Sequence, residues 1–459
     1  MSETIGILDI GSGYIKVLVS FIDDDDDIRT EPLFVDKRES KGIEEGVIVR
    51  ASSARNAIRE ILDSVRDRNG GEIGKLYLLV SHPKVKYSNT SVSLQISSPQ
   101  EGEFSEVKEE HLKELSEMVR RESQEPEYEI IHIVPKYFLL DGEKYYEPVG
   151  LHATTIEGVY HVIKLKKQVY LNLRNLVRSL NYDVNRIMLP VFTASYEILT
   201  EEDSKKRILL IDFGHTTTGF SYFVDGSPEI TGVISGGIRD AIEILSAQYK
   251  IPTKNAQELI KDIGYYRRQG YSLEVEEENI TLELEEGDVI TVSKNEIGNI
   301  LKGVVAEILA KIFEKLFEDK QIDITKDLDE IVLIGGGARL PHFKELVEEL
   351  IEEVEIPYCL VRIGKGKYLT YYDAEFAQKG DLLETDFAPA RGVVELIRRG
   401  REWWWEETSG SNNPLLLNEK KIEPTYEEAT LVESLEEKPK KQNLWSKIMN
   451  FFKNLISEE

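Results

Sequence analysis

Residues near the amino terminus have the types and spacing expected of a phosphate-binding turn: Asp9, Gly11, Ser12, Gly13 and Lys16. They lie in the stretch IGILDIGSGYIKVLVS, where an apolar strand ends in the acid and a second strand follows the glycines. The backbone N–H groups of such a turn bind phosphate oxygens, the hydroxyl and ammonium groups donate to them, and the carboxylate can hold a hydrated Mg²⁺. A plain hairpin turn has a similar pattern, so this stretch alone leaves both interpretations open.

A second hairpin of the same kind occurs in the stretch RILLIDFGHTTTGFSYFV. Its strand also ends in an acid, and the residues of its turn region are Asp212, Gly214, His215, Thr216 and Thr217. Two such hairpins facing each other across a cleft would hold a polyphosphate from both sides. Mg²⁺ would then bind through water to Asp9 and Asp212. The repeat therefore predicts a nucleotide site.

Three further segments are suited to a nucleotide. Gly236 and Gly237 precede a helix predicted for residues 238–248, where free N–H groups would bind phosphate, although a simple helix cap is an equal alternative. Glu258 and Lys261 are one helical turn apart and would grip a ribose and a base, or form a surface ion pair. The third segment is a buried strand followed by a triple glycine, on which a flat ligand can lie without Cβ clashes: Gly335, Gly336 and Gly337.

Bulk composition limits the class of protein. A chain of 459 residues should form two or more domains, and its net charge of -27 argues against nonspecific binding to nucleic acid. The single cysteine, Cys359, lies in an apolar strand-like run and is expected to be a buried, inert thiol in a reducing compartment. The first hairpin begins too early to leave room for a signal peptide, and no apolar run is long enough to span a membrane as a helix.

Residues 83–167 differ in pattern from the segments on either side. Short alternating strands surround one acidic helix, predicted for about Ser105 to Ser123, which indicates a small inserted α+β domain. His132, His152 and His161 lie in this segment, each in a strand-like run without a helical partner four residues away. We therefore do not expect a zinc site.

The carboxy-terminal tail has two parts. Residues 401–443 are rich in Glu, Lys, Pro, Ser and Asn, which predicts a disordered linker, and the pattern of residues 444–457 predicts an amphipathic helix too short to span a bilayer. Its apolar residues, which are suited to insertion into a membrane interface, are Leu444, Trp445, Ile448, Met449, Phe451, Phe452, Leu455 and Ile456. The alternative is a helix docked on this protein or on a partner. The adjacent Trp403, Trp404 and Trp405 would pack on the body of the protein or form a second membrane contact.

In this order, the two phosphate hairpins, the Glu-x-x-Lys helix, the strand–GGG–helix and a final small-residue helix resemble the actin-like ATPase superfamily. Within it, GILDIGSGYIKVLV, GIEEGVIV, SGGIRD and IGGGARLPHF are similar to motifs of the bacterial cell-division FtsA family. The resemblance implies an α/β, actin-like two-lobed fold with an inserted small α+β domain. Its implied divisions are lobe 1 at 1–82, 168–200 and 376–400; the insert, the family's 1C domain, at 83–167; and lobe 2 at 201–375, with subdomain 2B at about 241–317.

The resemblance also implies ligands and partners. ATP and Mg²⁺ would lie between the hairpins, with Glu258, Lys261 and Arg339 near the adenosine. The protein would form filaments, bind membrane lipids and other division proteins, and attach FtsZ to the cytoplasmic face of the inner membrane at the septum. The FtsZ tail would dock on subdomain 2B, where Lys294 and Lys302 are basic residues expected to be exposed.

One departure from the superfamily concerns hydrolysis. The connecting segment NRIMLPVFTASY has Leu189 before Pro190, where other actin-like proteins carry an acid or amide that orients water. We therefore expect at most a slow ATPase, with ATP as a structural and regulatory ligand. The alternatives are a module like the type IV pilus protein PilM, against which the terminal amphipathic helix argues, and a small-molecule kinase of the same superfamily.

Overall fold

The structure is a computed structural model that describes residues 3–22, 32–67, 72–97, 104–266, 278–283, 289–320, 322–354, 356, 358–366 and 385–398. The predicted linker, the predicted amphipathic helix and the three adjacent tryptophans lie outside these residues. Within the described ranges, no helix has both the length and the apolar content needed to cross a membrane.

The first part of the chain forms a twisted sheet with one long helix against it. Its elements are β1 (Glu3–Ile10), β2 (Tyr14–Ile22), β3 (Pro32–Glu39), β4 (Ile43–Glu44), β5 (Val47–Ile48), α1 (Ala51–Asp67) and β6 (Lys75–Leu79). β1 pairs antiparallel with β2 and parallel with β6. The turn between β1 and β2 therefore lies at the edge where β6 also ends, and ligands of α/β sheets commonly bind at such an edge.

The inserted segment folds as an α+β unit with its own apolar core. Its elements are β7 (Lys86–Gln95), β8 (Ser105–Glu106), α2 (Glu109–Glu122), β9 (Tyr128–Leu140), β10 (Glu143–Tyr145), β11 (His152–Ala153) and β12 (Thr155–Lys166). Four strands form a sheet in the order β10-β9-β12-β7, and α2 buries Leu115 and Val119 in this core. The prediction of a helix from Ser105 was wrong at that end, because residues 105–106 pair with β11 instead.

A short connecting segment completes the first sheet. It contains α3 (Lys167–Arg178), β13 (Val184–Met188) and α4 (Pro190–Ile198). β13 pairs parallel with β6, which gives the sheet order β13-β6-β1-β2-β3. Pro190 occupies the first turn of α4, where the missing N–H has no helical partner to lose.

The second lobe has a sheet of the same design. Its elements, together with the last helix of the body, are β14 (Ile208–Phe213), β15 (Thr217–Val224), β16 (Ser227–Ser235), α5 (Ile238–Tyr249), α6 (Thr253–Ile263), β17 (Asn279–Glu283), β18 (Val289–Ser293), α7 (Lys294–Lys320), β19 (Glu330–Ile334), α8 (Phe343–Glu353), β20 (Leu360–Ile363) and α9 (Ala388–Arg398). The strand order β20-β19-β14-β15-β16 matches that of the first sheet, strand for strand. Each lobe therefore presents a hairpin turn at the same place in its sheet.

Helices α4 and α9 pack against each other unusually closely. A Cβ atom at Gly392 would lie 1.9 Å from the backbone oxygen of Thr193, so only glycine fits at this crossing. Next to it, Arg391 of α9 and Glu197 of α4 form a buried ion pair with 3.5 Å between Nε and Oε1. The small residues predicted for the final helix thus serve a close helix contact.

The insert also contacts the second lobe, through polar side chains. His161 of β12 is fully buried between Asn89 of β7, 2.8 Å from Nδ1, and Thr231 of β16, 3.0 Å from Nε2. Lys136 of β9 pairs with Glu229 of β16, which also binds Lys320 at the end of α7. This contact is therefore held by paired polar groups.

Cys359 differs from its prediction in position and burial. It directly precedes β20 and is partly buried. Burial raises the pKa of its thiol to about 12, and the nearby Glu330 and Asp329 carboxylates add to the shift. The thiol is thus protonated at neutral pH, which agrees with the inert character expected of it.

The glycine at the helix crossing generates a stability prediction. Gly392→Ala should lower the free energy of unfolding by about 2 to 3 kcal/mol, because α4 and α9 must separate to admit the methyl group. Chemical denaturation followed by circular dichroism measures the change. Gly336→Ala is the control, since nothing lies within 4 Å of a Cβ atom at that position. Equal losses in the two variants would contradict the close crossing.

The buried histidine generates a pH prediction. Burial, reinforced by Lys136 and Lys320, holds the pKa of His161 well below its ordinary value of 6.5. As the pH falls from 7 to 5, the unfolded chain binds a proton on this ring and the folded chain does not. Stability should therefore fall by up to about 1.4 kcal/mol per pH unit from this group.

The matched comparison for that prediction uses two histidines of the insert. His161→Gln should flatten the dependence of unfolding free energy on pH between 7 and 5, whereas His152→Gln should not, because His152 is exposed. Denaturation curves at several pH values measure the slopes. An unchanged slope in the His161 variant would show that this ring does not carry the effect.

Candidate functional site

A cavity of ≈ 460 Å³ lies between the two hairpins. The turn after β1 forms one wall and the turn after β14 forms the other. The Thr216 hydroxyl donates to the Ser12 hydroxyl across the cleft at 2.7 Å and accepts from the Glu45 backbone N–H at 3.2 Å. The repeated hairpins thus face each other across one space, in the arrangement expected of a pair that binds one ligand.

Most of the residues predicted to bind a nucleotide line this cavity. From the first lobe these are Asp9, Gly11, Ser12, Gly13 and Lys16, and from the second lobe Asp212, Gly214, His215, Thr216, Thr217, Lys261, Gly335, Gly336, Gly337 and Arg339. They come from segments far apart in sequence. Parallel pairing of β14 with β19 places the triple glycine beside Asp212 at one edge of the sheet.

Gly236 and Gly237 are not part of the cavity lining. The N–H groups at the start of α5 are already paired: that of Gly236 with the Thr216 oxygen at 3.0 Å, and that of Ile238 with the Gly214 oxygen at 3.2 Å. Gly237 donates to the Asp240 carboxylate at 3.1 Å, in a helix cap. These glycines therefore support the second hairpin from behind, and the structure favours the cap over the phosphate contact.

Glu258 does not line the cavity either. Its side chain is exposed on α6, whereas Gln257, Ile260 and Lys261 line the cavity. Gln257 and Lys261, four residues apart, share the side of α6 that faces the cavity, and the one-turn spacing of Glu258 and Lys261 does not bring Glu258 to it. The ammonium group of Lys261 donates to the Tyr14 hydroxyl at 3.0 Å, which joins α6 to the first hairpin.

The floor of the cavity carries closely balanced charges. Lys16 Nζ lies 2.7 Å from Asp9 Oδ2 and donates to the backbone oxygen of Asp386 at 2.6 Å. Burial would lower the pKa of Lys16, but the charges of Asp9 and Asp386 outweigh it and raise the pKa to about 12. Lys16 is therefore a permanent cation where phosphate oxygens were predicted.

Asp212 faces this cation from the second lobe. Burial raises the pKa of its carboxyl to about 7, Lys16 opposes the shift, and the carboxylates of Asp9 and Asp386 add to it. A divalent cation would remove that repulsion. Within the described ranges no group of three or more His, Cys, Asp or Glu side chains could hold a metal ion alone, so Mg²⁺ bound here would need phosphate or water oxygens as further ligands.

Sequence reasoning missed Lys37 and Asp386. The Asp386 carboxylate, 3% exposed, lies 2.6 Å from Lys37 Nζ and 3.3 Å from Arg339 Nη1. Burial opposes its ionisation, but Lys16, Lys37 and Arg339 hold its pKa below the usual range. No local sequence signal marks Lys37, which joins the site because the register of β2 and β3 places it opposite Lys16.

The residues considered for hydrolysis and for FtsZ binding lie as follows. Pro190 lines the cavity, and the buried Leu189 before it donates its N–H to His132 Nε2 at 2.9 Å.

Lys294 is paired with Glu278 beside β18. Lys302 is 15% exposed and bonds Glu349 at 2.7 Å and Glu353 at 2.8 Å, so the expectation of an exposed lysine was wrong there.

Comparison with known proteins identifies the insert and the overall similarity. The family model of the SHS2 domain inserted in FtsA matches residues 82–164, and the Hsp70 protein model matches residues 271–356. The cell-division protein FtsA of Borreliella burgdorferi is 25% identical over 363 residues, which are 78% of this chain and 86% of the relative. FtsA of Bacillus subtilis is 24% identical over 372 residues, or 80% of each chain.

A solved structure shows the same fold. The PilM-PilN type IV pilus biogenesis complex contains a chain with a TM-score of 0.55 and 14% sequence identity, and the match covers 86% of this chain and 98% of the other. At this identity the likeness concerns the fold alone. The predicted actin-like α/β fold with an inserted domain is confirmed.

Proposed function

Because this chain is a relative of the bacterial cell-division protein FtsA, we propose that it is an ATP-binding, actin-like protein that attaches FtsZ filaments to the cytoplasmic membrane at the division septum. The observation that carries the proposal is the cavity between two repeated hairpins, which brings glycine turns, hydroxyls and cations from both lobes to one space. The similarity to FtsA proteins over more than three quarters of the chain supports the cell-division role.

The ATP phosphates would lie between the turns at residues 11–13 and 214–217. The Gly11 and Gly214 N–H groups are bonded within their own turns, so the N–H groups of the residues that follow and the Thr216 and Ser12 hydroxyls would contact the phosphates. Lys16 would neutralise phosphate charge, and Asp9 with Asp212 would hold Mg²⁺ through water. The base and ribose would lie against Lys261 and the triple glycine, with Gln257 in the place first considered for Glu258.

Slow hydrolysis fits the same cavity. Fast hydrolysis would need a side chain that activates or orients the attacking water within hydrogen-bond reach, and where other actin-like proteins carry an acid or amide, the connecting segment has Leu189 and Pro190. The nearby Glu197 of α4 is buried beside Arg391. ATP would therefore act mainly as a ligand that holds the two lobes in one arrangement and so influences filament formation.

The tether would use the tail and the second lobe. The apolar arc predicted for residues 444–457 would insert into the lipid interface, joined to the body by segment 401–443, whose composition predicts a linker. The FtsZ tail would dock near α7, where Lys294 is the remaining basic residue of the two first considered. The alternatives are a PilM-like pilus module and a small-molecule kinase. Negative results in the experiments below would favour these alternatives.

The nucleotide part of the proposal predicts the effect of a side chain between the hairpins. A Cβ atom at Gly13 would lie 2.9 Å from the His215 ring, so Gly13→Val should obstruct the turn and weaken Mg-ATP binding about tenfold or more. Isothermal titration calorimetry measures the affinity. Ser93→Val is the control, because Ser93 is exposed on β7 and lies outside the cavity lining. If both variants bind ATP as the wild type does, the cavity is not the nucleotide site.

The tether part predicts recruitment to vesicles. The full chain should bring a labelled peptide of the FtsZ C-terminal tail to vesicles that contain anionic lipid, measured by co-sedimentation. Replacing Trp445 and Phe452 with Gln should abolish recruitment, because those residues insert, and leave peptide binding in solution intact. Replacing Ser446 and Asn454 with Gln on the polar face is the matched control. Absence of peptide binding by the wild type would favour the PilM-like alternative.

A further inference from the structure

We infer, on the basis of the proposed nucleotide function, that Lys37 is a further ligand for the terminal phosphate of a bound nucleoside triphosphate, and that the Asp386 carboxylate holds Lys37 when that phosphate is missing. Lys37 and Asp386 belong to the cavity but have no part in the function proposed above.

The strand register places Lys37 beside the predicted phosphate ligands. Lys37 of β3 lies opposite Lys16 of β2, and Lys16 lies opposite Asp9 of β1. Side chains directly opposite on adjacent strands point to the same face and approach within about 5 Å at Cβ. The three charged groups therefore form one row across the sheet, and Lys37 extends it toward the side of the cavity where α9 begins.

The Lys37 side chain is positioned by neighbours on both sides. Its ammonium group lies 4.6 Å from the centre of the Tyr14 ring and 2.6 Å from Asp386 Oδ2. Tyr14 is itself bonded to Lys261 from the second lobe. An exposed lysine would lose much conformational freedom on binding a phosphate, whereas this one is already ordered at the cavity wall.

Asp386 has the character of an internal anion that a phosphate can replace. Its carboxylate joins cations of both lobes, Lys37 from the first and Arg339 from the second. Its other oxygen, Oδ1, is buried and has no hydrogen-bond partner among the described residues. A buried carboxylate oxygen without a partner is unfavourable, so this arrangement leaves a free-energy difference that a better anion can exploit.

Replacement of the Asp386 carboxylate by the terminal phosphate, as the partner of Lys37, distinguishes a triphosphate from a diphosphate. A terminal phosphate reaching Lys37 offers more negative charge and more acceptor oxygens than one carboxylate, and it repels Asp386. A diphosphate, held by the turns and Lys16, leaves the Lys37–Asp386 pair in place. Lys37 thereby contributes to affinity for the triphosphate alone, and Asp386 opposes the triphosphate alone.

The test compares the affinities of a non-hydrolysable ATP analogue and of ADP, with Mg²⁺, by calorimetry of the full chain. Lys37→Met should lower the affinity for the analogue about tenfold or more, because a charge-assisted hydrogen bond is lost. It should change the affinity for ADP less than about twofold. Lys37→Arg should retain most of the preference. Lys41→Met is the control, because Lys41 is exposed and outside the cavity lining.

The second variant tests the carboxylate. Asp386→Asn keeps the shape of the side chain but removes its charge. It should therefore raise the affinity for the analogue several-fold relative to the affinity for ADP. Thermal unfolding of each variant checks that the fold is retained.

Each outcome decides the matter. The wild type could bind both nucleotides while Lys37→Met loses affinity for both equally, or loses none. Either result would overturn this inference and leave the nucleotide function standing. Unchanged or weaker analogue binding by Asp386→Asn would overturn the role given to the carboxylate. A wild type that binds neither nucleotide would overturn the nucleotide function as well.

Discussion

The arrangement of the cleft depends on the balance of charge inside it. Lys16, Lys37 and Arg339 would repel one another in a partly buried space, and the carboxylates of Asp9 and Asp386 hold them there. The chain as a whole carries a net charge of -27, so a cationic site must be built locally from paired side chains. The Mg²⁺-polyphosphate proposed for this cleft would bring compensating charges of both signs.

The features that the sequence allowed us to predict are those written in local patterns. Each hairpin has an apolar strand, an acid, glycines and a second strand within about twenty residues, so both turns could be placed without knowing the fold. Lys261 follows from a helix face, and the triple glycine from its position between a strand and a helix. The actin-like fold followed because these segments occur in one characteristic order.

The features that were missed depend on long-range geometry. Lys37 lies in a plain strand segment, away from any glycine turn, and becomes part of the site only through the register of β2 and β3. Asp386 reaches the cavity from a segment more than 340 residues away from Lys37. Gly236 and Gly237 have the composition of a phosphate site, yet the carbonyl groups of the neighbouring hairpin use the N–H groups there. Composition indicates which N–H groups could bind a phosphate, but the fold determines which of them already have a hydrogen-bond partner.

The close crossing of α4 and α9 has a mechanical consequence. With the backbone of Gly392 against that of Thr193, the two helices have no room to move closer, and no side chain larger than hydrogen fits between them. Asp386 lies two residues before α9, so the same crossing fixes where the Asp386 carboxylate stands relative to Pro190 at the start of α4, and with it the distance between two parts of the cavity wall.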